Sequence, residues 1–293
     1  MSKMILGTVQ LGCNYGINNI TGMPNEAKAY NMLDYAYDHG IRCLDTAHAY
    51  GTSEKVIGNY IRNKGKVFDI ATKLPVNISK YEILDYYSTT CDRLGVNRLS
   101  LLYLHRFEQC KNEKLMNAMQ QLKDEKKIDW IGISLYEPKE LRYVIDNLSD
   151  IVDVVQIPFN LLDNKRWTSN RLLIKAYEKG ISIIVRSVYL QGLFFMSDEQ
   201  LKVKGQDLYE RITELRFLAK SNSMTLAQLA LDFVNSFQEI HRYLLGAETV
   251  EQIAENIYMD KNIQCLSKKL LEQIEGISIR TEEKYIDPRK WGV

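Results

Sequence analysis

Four residues in the N-terminal part of the chain could together carry out proton transfer. Asp45, Tyr50, Lys73 and His105 supply a carboxylate, a phenol, an ammonium group and an imidazole. A free tyrosine has a pKa near 10, so about one phenol in a thousand is ionised at neutral pH. An ammonium group beside the phenol would lower that pKa, and a carboxylate would keep the buried ammonium charged. This set predicts that Tyr50 exchanges protons, that Lys73 and Asp45 tune it, and that His105 orients a substrate oxygen.

This combination of groups favours proton transfer to a developing alkoxide over other reactions. It contains no obvious nucleophile, and the 4 histidines and 5 cysteines are dispersed without a HExxH or CxxC motif. Acyl transfer and metal-assisted hydrolysis are therefore poor fits, and we expect no metal site. When hydride reaches a carbonyl carbon, the oxygen needs a proton, which a tyrosine can supply. No side chain can donate the hydride, so a cofactor must donate it.

The candidate residues fall at the ends of short apolar runs that predict buried parallel strands. These runs are rich in Val, Ile and Leu and alternate with longer segments typical of covering helices. The predicted strands are residues 4–9, 42–45, 69–73, 100–105, 130–134, 153–157, 182–186 and 242–246. We predict that they close into a barrel, because an open doubly wound sheet needs a glycine-rich phosphate turn after its first strand, and the sequence has no GxGxxG.

Helical periodicity fills the segments between these strands. The predicted helices are residues 26–39, 53–62, 80–94, 111–126 and 138–147, with 206–220 and 225–237 in the long last gap. Residues 191–205 are predicted to form a loop that could cover a site. Because there are no repeats, low-complexity segments or linkers, we predict one domain over residues 1–293, a (β/α)8 TIM barrel in the α/β class. Reacting groups in such barrels lie at the carboxyl ends of the strands.

Composition and charge limit the classes of partner. With 293 residues, of which 45% are hydrophobic and 26% charged, the chain has an ordinary globular composition and can fill a sizeable core. A net charge of +1 provides no field that would attract nucleic acid or anionic lipid. The sequence contains neither a secretory signal nor an apolar run of membrane-spanning length. We therefore expect a cytoplasmic protein whose partners are small molecules, with neither nucleic acid nor membrane among them.

Several segments resemble the aldo-keto reductases. Residues 40–58 resemble the family signature around its catalytic aspartate and tyrosine. Residues 6–12, 71–75 and 102–106 are similar to the family's first strand, its lysine strand and its histidine strand. Residues 130–134, 156–160 and 245–256 are similar to its cofactor-binding segments. Because these segments follow the family's order along nearly the whole chain, the sequence is identified as a member of the aldo-keto reductase superfamily.

This resemblance implies an activity, a cofactor and a set of site residues. The activity would be hydride transfer between nicotinamide C4 of NADP(H) or NAD(H) and a carbonyl or alcohol substrate, such as an aldehyde, a ketone or a sugar-like molecule. Tyr50 would be the general acid/base, and Asp45, Lys73 and His105 the other catalytic residues. The implied cofactor-binding residues are Gly7, Thr8, Ser134, Gln156, Asn160, Arg186, Ser187, Leu190, Gly192, Gly246, Ala247, Glu248, Gln252, Glu255 and Asn256. Two segments also resemble a bacterial branch linked to sugar or polysaccharide metabolism.

Two positions depart from common family patterns or bear on the choice of dinucleotide. Arg186 stands where many relatives carry an aromatic residue that stacks on the nicotinamide, although a planar guanidinium can also stack. Residues 249–252 predict a capping box that opens a helix suited to a phosphate. Glu248 would repel a 2′-phosphate but could accept a hydrogen bond from a 2′-hydroxyl. We leave the choice between NAD and NADP open and expect the two to bind with comparable affinity.

Other interpretations remain open from the residues alone. The chain could be a dinucleotide-binding regulatory subunit that senses redox state with little turnover, or a barrel enzyme that moves only protons on phosphorylated sugars. Each candidate catalytic residue, taken singly, also has an ordinary structural explanation, and their joint position at strand ends favours catalysis. The substrate pocket could be walled by Asn14, Tyr15, Phe107, Phe159, Tyr189, Phe194 and Trp291, of which we expect half to be packing residues.

Overall fold

A computed structural model describes residues 2–79 and 82–291. Its strands are β1 (Met4–Gly7), β2 (Cys43–Asp45), β3 (Asp69–Lys73), β4 (Leu99–Leu104), β5 (Ile128–Ser134), β6 (Val154–Pro158), β7 (Ser182–Arg186) and β8 (Ile240–Gly246). Every predicted strand is present, and its ends differ from the prediction by about two residues at most. At β1 the strand ends two residues earlier than predicted, because Val9 begins a 3-10 helix, Val9–Leu11.

The strands form a closed parallel barrel in their order along the chain, with β8 paired to β1. Gly7 at the end of β1 is paired with Asp45 on one side and Gly246 on the other. Lys73 is likewise paired with Tyr103. The carboxyl ends of the strands therefore meet at one rim. The predicted (β/α)8 architecture is confirmed.

Helices follow the strands and cover the outside of the barrel. They are α1 (Glu26–Asp38), α2 (Ser53–Lys64), α3 (Ile83–Leu94), α4 (Glu113–Asp124), α5 (Pro138–Asn147), α6 (Lys165–Thr168), α7 (Leu172–Glu178), α8 (Asp198–Lys204), α9 (Gln206–Ser221), α10 (Leu226–Asn235), α11 (Val250–Lys261), α12 (Lys268–Ile279) and α13 (Glu283–Ile286). Side chains that accept from backbone amides mark where helices begin, as Asn25 does before α1 and Thr225 before α10. Gly95 ends α3 in the left-handed region, with φ 68°.

Three predicted segments differ from the structure. The helix predicted over residues 80–94 begins at Ile83, and the first two predicted residues lie outside the described part of the chain. The helix predicted over 111–126 is shorter because Asn112 caps α4. The prediction of a loop over 191–205 was wrong. This segment is occupied by most of a 3-10 helix, Leu190–Phe195, and by the helix α8. Ser197 and Gln200 form a capping box that begins α8, and this local signal was overlooked.

Two apolar layers follow from the two faces of each strand. The larger layer packs between the strands and the helices and includes Leu44 and Leu102. A smaller layer fills the barrel interior, with Cys43, Ala71, Leu101, Tyr103, Val154 and Ile184 among its members. Side chains two residues apart on a strand face the same side. The residues that follow the interior layer by two positions, Asp45, Lys73, Gln156 and Arg186, therefore form a polar layer at the carboxyl rim.

The described helices are short compared with a membrane span. The longest of them, α9, has 16 residues, whereas a span needs about 20 apolar residues. None of the helices described by the structure combines the length and the apolar character needed to cross a membrane.

Candidate active site

The carboxyl rim of the barrel opens into a cavity of about 400 Å³. All four predicted catalytic residues, Asp45, Tyr50, Lys73 and His105, line this cavity. So do the predicted cofactor-binding residues Gly7, Thr8, Ser134, Gln156, Arg186, Ser187, Gly192, Gly246, Ala247, Glu248, Gln252, Glu255 and Asn256. The closed barrel is what brings together residues that lie far apart in the sequence.

Two predicted cofactor-binding residues, Asn160 and Leu190, do not line the cavity and are fully buried. The Asn160 side-chain amide donates to the Ser187 carbonyl at 3.1 Å, and its oxygen accepts from the Leu162 and Asp163 amides. Leu190 packs in the apolar layer outside the barrel. In this geometry Asn160 links the loop after β6 to the segment after β7 and does not line the cavity.

A buried ion pair forms the floor of the cavity. Lys73 Nζ donates to Asp45 Oδ1 and, at 3.1 Å, to the Thr46 carbonyl, and only 2% of each charged side chain is exposed. The second carboxylate oxygen of Asp45 accepts from Gln156 Nε2 at 2.9 Å. Burial lowers the pKa of Lys73, while the Asp45 charge raises it and so opposes that shift. Both oxygens of Asp45 are therefore engaged in holding this floor in place.

The ammonium group of Lys73 lies beside Tyr50. Its Nζ is 5.2 Å from the centre of the Tyr50 ring and 5.3 Å from that of Tyr103. Tyr50 is partly exposed to the cavity, whereas Tyr103 is fully buried in the barrel interior. Of the two phenols, Tyr50 is the one that a ligand in the cavity can reach.

The pKa of Tyr50 is raised in the structure, whereas the sequence predicted that Lys73 would lower it. Burial raises the pKa of Tyr50 above its ordinary value, the Asp45 carboxylate raises it further, and Arg186 lowers it only in part. Tyr50 is therefore fully protonated at neutral pH. This is the form that a proton donor needs, and the nearby ammonium group can stabilise the phenolate once the proton has left.

His105 is neutral at physiological pH. Burial, followed by the positive charges of Lys73, Arg106 and Arg186, lowers the pKa of His105 to about 4. Its Nδ1 is buried and has no hydrogen-bond partner among the described residues. A neutral imidazole that faces the cavity can hydrogen bond to a substrate oxygen without adding a second cation beside Lys73.

The turn that carries Tyr50 is held against the end of β1. A Cβ atom at Gly12 would lie 2.0 Å from the Tyr50 carbonyl oxygen and 2.2 Å from the Ser53 amide, so only glycine fits there. The Ser53 hydroxyl donates to the Thr8 carbonyl at 2.9 Å, and the Thr52 amide donates to the Gly12 carbonyl at 3.3 Å. Sequence reasoning missed this positioning contact, since nothing local links residues 12 and 50.

Aromatic and cationic side chains form the wall of the cavity. Of the proposed pocket residues, Tyr15 and Tyr189 line it, whereas Phe159 and Phe194 are buried in the core. The remaining three, Asn14, Phe107 and Trp291, are not among its lining residues. Sequence reasoning missed Tyr136 and Gln10, which also line it.

The donors and acceptors in the cavity fit a nicotinamide dinucleotide. Gln156 and Gln10 each carry a buried side-chain oxygen without a partner among the described residues. A buried acceptor without a donor is costly, and the carboxamide of a nicotinamide would be a suitable donor. The first turn of α11 also borders the cavity through Gln252, and the free amides of a helix start suit a phosphate.

The start of α11 differs in detail from the predicted capping box. Thr249 caps the helix by accepting from the Gln252 amide at 3.3 Å, as predicted. The Gln252 side chain, however, accepts from the Glu248 amide at 2.8 Å, not from Thr249. The Glu248 carboxylate accepts from the Thr21 hydroxyl at 3.4 Å, and burial raises its pKa. Glu248 thus lies where the loop after β1 meets the loop after β8.

The closed parallel barrel, with Asp45, Tyr50, Lys73 and His105 at its carboxyl rim, has the architecture expected for barrel oxidoreductases of the aldo-keto type. The chain belongs to the aldo/keto reductase family, whose model matches residues 3–279.

Similar proteins agree with this assignment. An uncharacterised oxidoreductase of Bacillus subtilis is 26% identical over 97% of both chains. An L-glyceraldehyde 3-phosphate reductase of Escherichia coli is 24% identical, over 92% of this chain and 89% of its own length. A crystal structure from Pseudomonas aeruginosa, assigned to the aldo-keto reductases, superposes with a TM-score of 0.67 over 89% of this chain and 90% of that one, at 18% identity, and shows the fold alone. Family membership supports an oxidoreductase, and the family generally uses NAD(P)H.

Proposed function

We propose that this protein moves hydride between nicotinamide C4 of NAD(P)H and the carbonyl or alcohol carbon of a small molecule, with Tyr50 as the general acid/base. The observation that carries the proposal is the buried Lys73–Asp45 ion pair beside Tyr50, in a cavity that His105 also lines. An aldehyde, a ketone or a sugar-like molecule would be the substrate. The Escherichia coli relative, named as a reductase of L-glyceraldehyde 3-phosphate, is consistent with a small aldehyde.

The catalytic residues would act in the following roles. Tyr50 donates its phenol proton to the carbonyl oxygen during reduction and takes it back in the reverse direction. Lys73 stabilises the phenolate that remains, and Asp45 holds the ammonium group in place. The neutral imidazole of His105 hydrogen bonds to the carbonyl oxygen and orients it. When bound, the reduced nicotinamide dinucleotide supplies the hydride.

The chain's own residues would hold the dinucleotide along the rim. Gln156 would accept from the carboxamide through its unpaired oxygen. Ser187 and Gly192 belong to a segment with several left-handed residues, at φ 60° and 88° respectively, whose amides could face an anion. Glu248 and Asn256 at α11 would contact the adenosine end.

Replacing Tyr50 with phenylalanine tests the proposal directly. Tyr50→Phe removes the proton donor but keeps the ring, so we expect kcat for carbonyl reduction to fall by roughly 10²–10⁴-fold. The Kd for the dinucleotide, measured by fluorescence titration, should stay within about threefold of the wild-type value. Tyr258→Phe is the matched control, because Tyr258 is 68% exposed on α11. Turnover retained in Tyr50→Phe would show that another group donates the proton.

Assays of the wild-type protein also distinguish an enzyme from a regulatory subunit. A panel of aldehydes, ketones and sugars assayed with both reduced dinucleotides should give turnover. Tight dinucleotide binding with negligible turnover of the whole panel would favour a redox-sensing subunit instead. Failure to bind either dinucleotide would favour proton-transfer chemistry on phosphorylated sugars.

A further inference from the structure

Arg186 places a positive charge in the cavity close to the catalytic group. It is the last residue of β7 and belongs to the polar layer that faces the barrel interior. The side chain is partly buried and lines the same cavity as Tyr50 and His105. Its charge lowers the pKa of Tyr50 and of His105, which agrees with a position near both. A substrate whose carbonyl oxygen reaches these two residues therefore lies near the guanidinium.

The guanidinium is held in one orientation. Arg186 Cζ lies 4.1 Å from the centre of the Tyr136 ring, and one terminal nitrogen donates to the Leu135 carbonyl at 3.0 Å. Among the residues that the structure describes, this carbonyl is its one hydrogen-bond acceptor. Most of its five N–H donors therefore remain available to a ligand.

No described carboxylate forms an ion pair with Arg186. Arg289 provides a direct comparison, because its guanidinium also lies 4.1 Å from the centre of the Tyr136 ring. Arg289 is paired with Asp287 at 2.6 Å and with Glu137 at 3.8 Å. Within residues 2–79 and 82–291, no carboxylate oxygen lies within 4.0 Å of Arg186. The cavity also contains Asp45, but both of its oxygens are engaged by Lys73 and Gln156.

We propose that the substrate carries an anionic group, a carboxylate or a phosphate, and that Arg186 binds it. This inference rests on the proposed function and specifies its substrate class. A partly buried cation without a carboxylate partner is costly, and an anionic group offsets that cost. The fork of N–H donors on a guanidinium matches the paired oxygens of a carboxylate or a phosphate. Stacking on Tyr136 fixes this fork before the substrate arrives.

Matched pairs of substrates test the inference. One pair is glyceraldehyde 3-phosphate and glyceraldehyde, and the other is 4-oxobutanoate and its methyl ester. In the wild-type protein, kcat/KM for the anionic member of at least one pair should exceed that for the neutral member by about tenfold or more. The pair that shows this ratio identifies the phosphate or the carboxylate as the preferred anion.

Three variants assign the preference to one residue. Arg186→Gln should lower the anionic-to-neutral ratio by about tenfold or more, and Arg186→Lys should retain part of it because it keeps the charge without the fork. Arg289→Gln is the matched control, because Arg289 stacks on the same ring but is already paired with carboxylates. This substitution should change the anionic-to-neutral ratio by less than about threefold. Calorimetric Kd values for the members of both pairs provide the same comparison without turnover.

Several results would overturn the inference while leaving the proposed function intact. One is turnover of both members of each pair with equal efficiency by the wild-type protein. Another is an equal loss for both members in Arg186→Gln. A third is an unchanged anionic-to-neutral ratio in Arg186→Gln together with weaker binding of the dinucleotide. That result would place the guanidinium against the cofactor. If no carbonyl is turned over, the proposed function fails, and equal calorimetric Kd values within both pairs would then refute the inference separately.

Discussion

The protonation states of the proposed catalytic side chains follow from their burial and from the charges around them. Tyr50 keeps its proton because burial and Asp45 both raise its pKa. His105 stays neutral because burial and three nearby cations, Lys73, Arg106 and Arg186, lower its pKa. The protein therefore presents a protonated phenol and a neutral imidazole at neutral pH, which is the combination that the proposed mechanism uses.

The pKa of His105 leads to a prediction about pH dependence. With a pKa lowered to about 4, the imidazole stays neutral above about pH 5 and becomes charged only as the pH falls through 4. We expect kcat/KM for carbonyl reduction to show no ionisation at about pH 6.5, the ordinary value for histidine. A pH profile of initial rates checks this, with substrates that do not titrate in the same range. An inflection near that pH that disappears in His105→Gln would contradict the assignment.

The residue types at the rim were predictable from the sequence, whereas their electrostatics were not. Asp45, Lys73 and His105 follow apolar runs that any reading of strand periodicity finds. The sign of the Tyr50 pKa shift depends on how much water the folded barrel excludes and on the position of Asp45. Both quantities exist only after the chain has folded.

At the scale of elements, the Tyr50 turn depends on a close approach of two backbone segments. Gly12 ends the 3-10 helix after β1 and touches the Tyr50 carbonyl with no room for a side chain. Gly12→Ala should therefore displace the turn and lower kcat by about tenfold or more, because small misplacements of a catalytic group are costly. Steady-state kinetics and dinucleotide Kd should show that the loss is mainly in kcat.

A second alanine substitution separates this positional effect from a general effect of replacing glycine. Gly276 lies in α12, where an added Cβ would meet nothing within 4 Å. Gly276→Ala should leave kcat unchanged and stabilise the protein by up to about 1 kcal/mol. Normal kcat in Gly12→Ala would show that the turn tolerates the displacement.

The loop before α11 is the element that should set the dinucleotide preference. Glu248 lines the cavity at this point, and its carboxylate would disfavour a 2′-phosphate while accepting from a 2′-hydroxyl. We expect Kd values for NAD and NADP within about tenfold of each other. Glu248→Gln should shift the ratio of the two Kd values in favour of NADP. Glu251 is an exposed carboxylate in the first turn of α11 and is not among the cavity-lining residues, so Glu251→Gln should leave the ratio unchanged. A several-hundred-fold preference for NADP in the wild-type protein would contradict this expectation.

Strands and most helices could be predicted because their signals are local. Apolar runs and capping residues lie within a few positions of the element that they specify. The segment before α9 shows how such a signal can be overlooked. Its polar and aromatic composition favoured a loop, although Ser197 and Gln200 have the spacing of the capping box that begins α8.

At the scale of the whole molecule, the two ends of the chain are joined by the pairing of β1 with β8. Neither strand can leave the barrel without breaking the hydrogen bonds of the other, so we propose one cooperative unit. Urea unfolding followed by circular dichroism and by tryptophan fluorescence should give coincident transitions. The tryptophans lie in β5, in α6 and near the end of the described chain, at Trp130, Trp167 and Trp291, and so sample separate parts. Two resolved transitions would indicate two domains.

The sequence by itself determined the order of strands and helices and the chemical types at the strand ends, because periodicity, capping and chain order are local properties. Tertiary structure alone decided that Gly12 supports the Tyr50 turn and that Asn160 does not line the cavity. It also decided that Arg186 stacks on Tyr136 without a carboxylate partner among the described residues. Contacts and electrostatic shifts depend on distances between groups far apart in the chain, and barrel closure sets those distances.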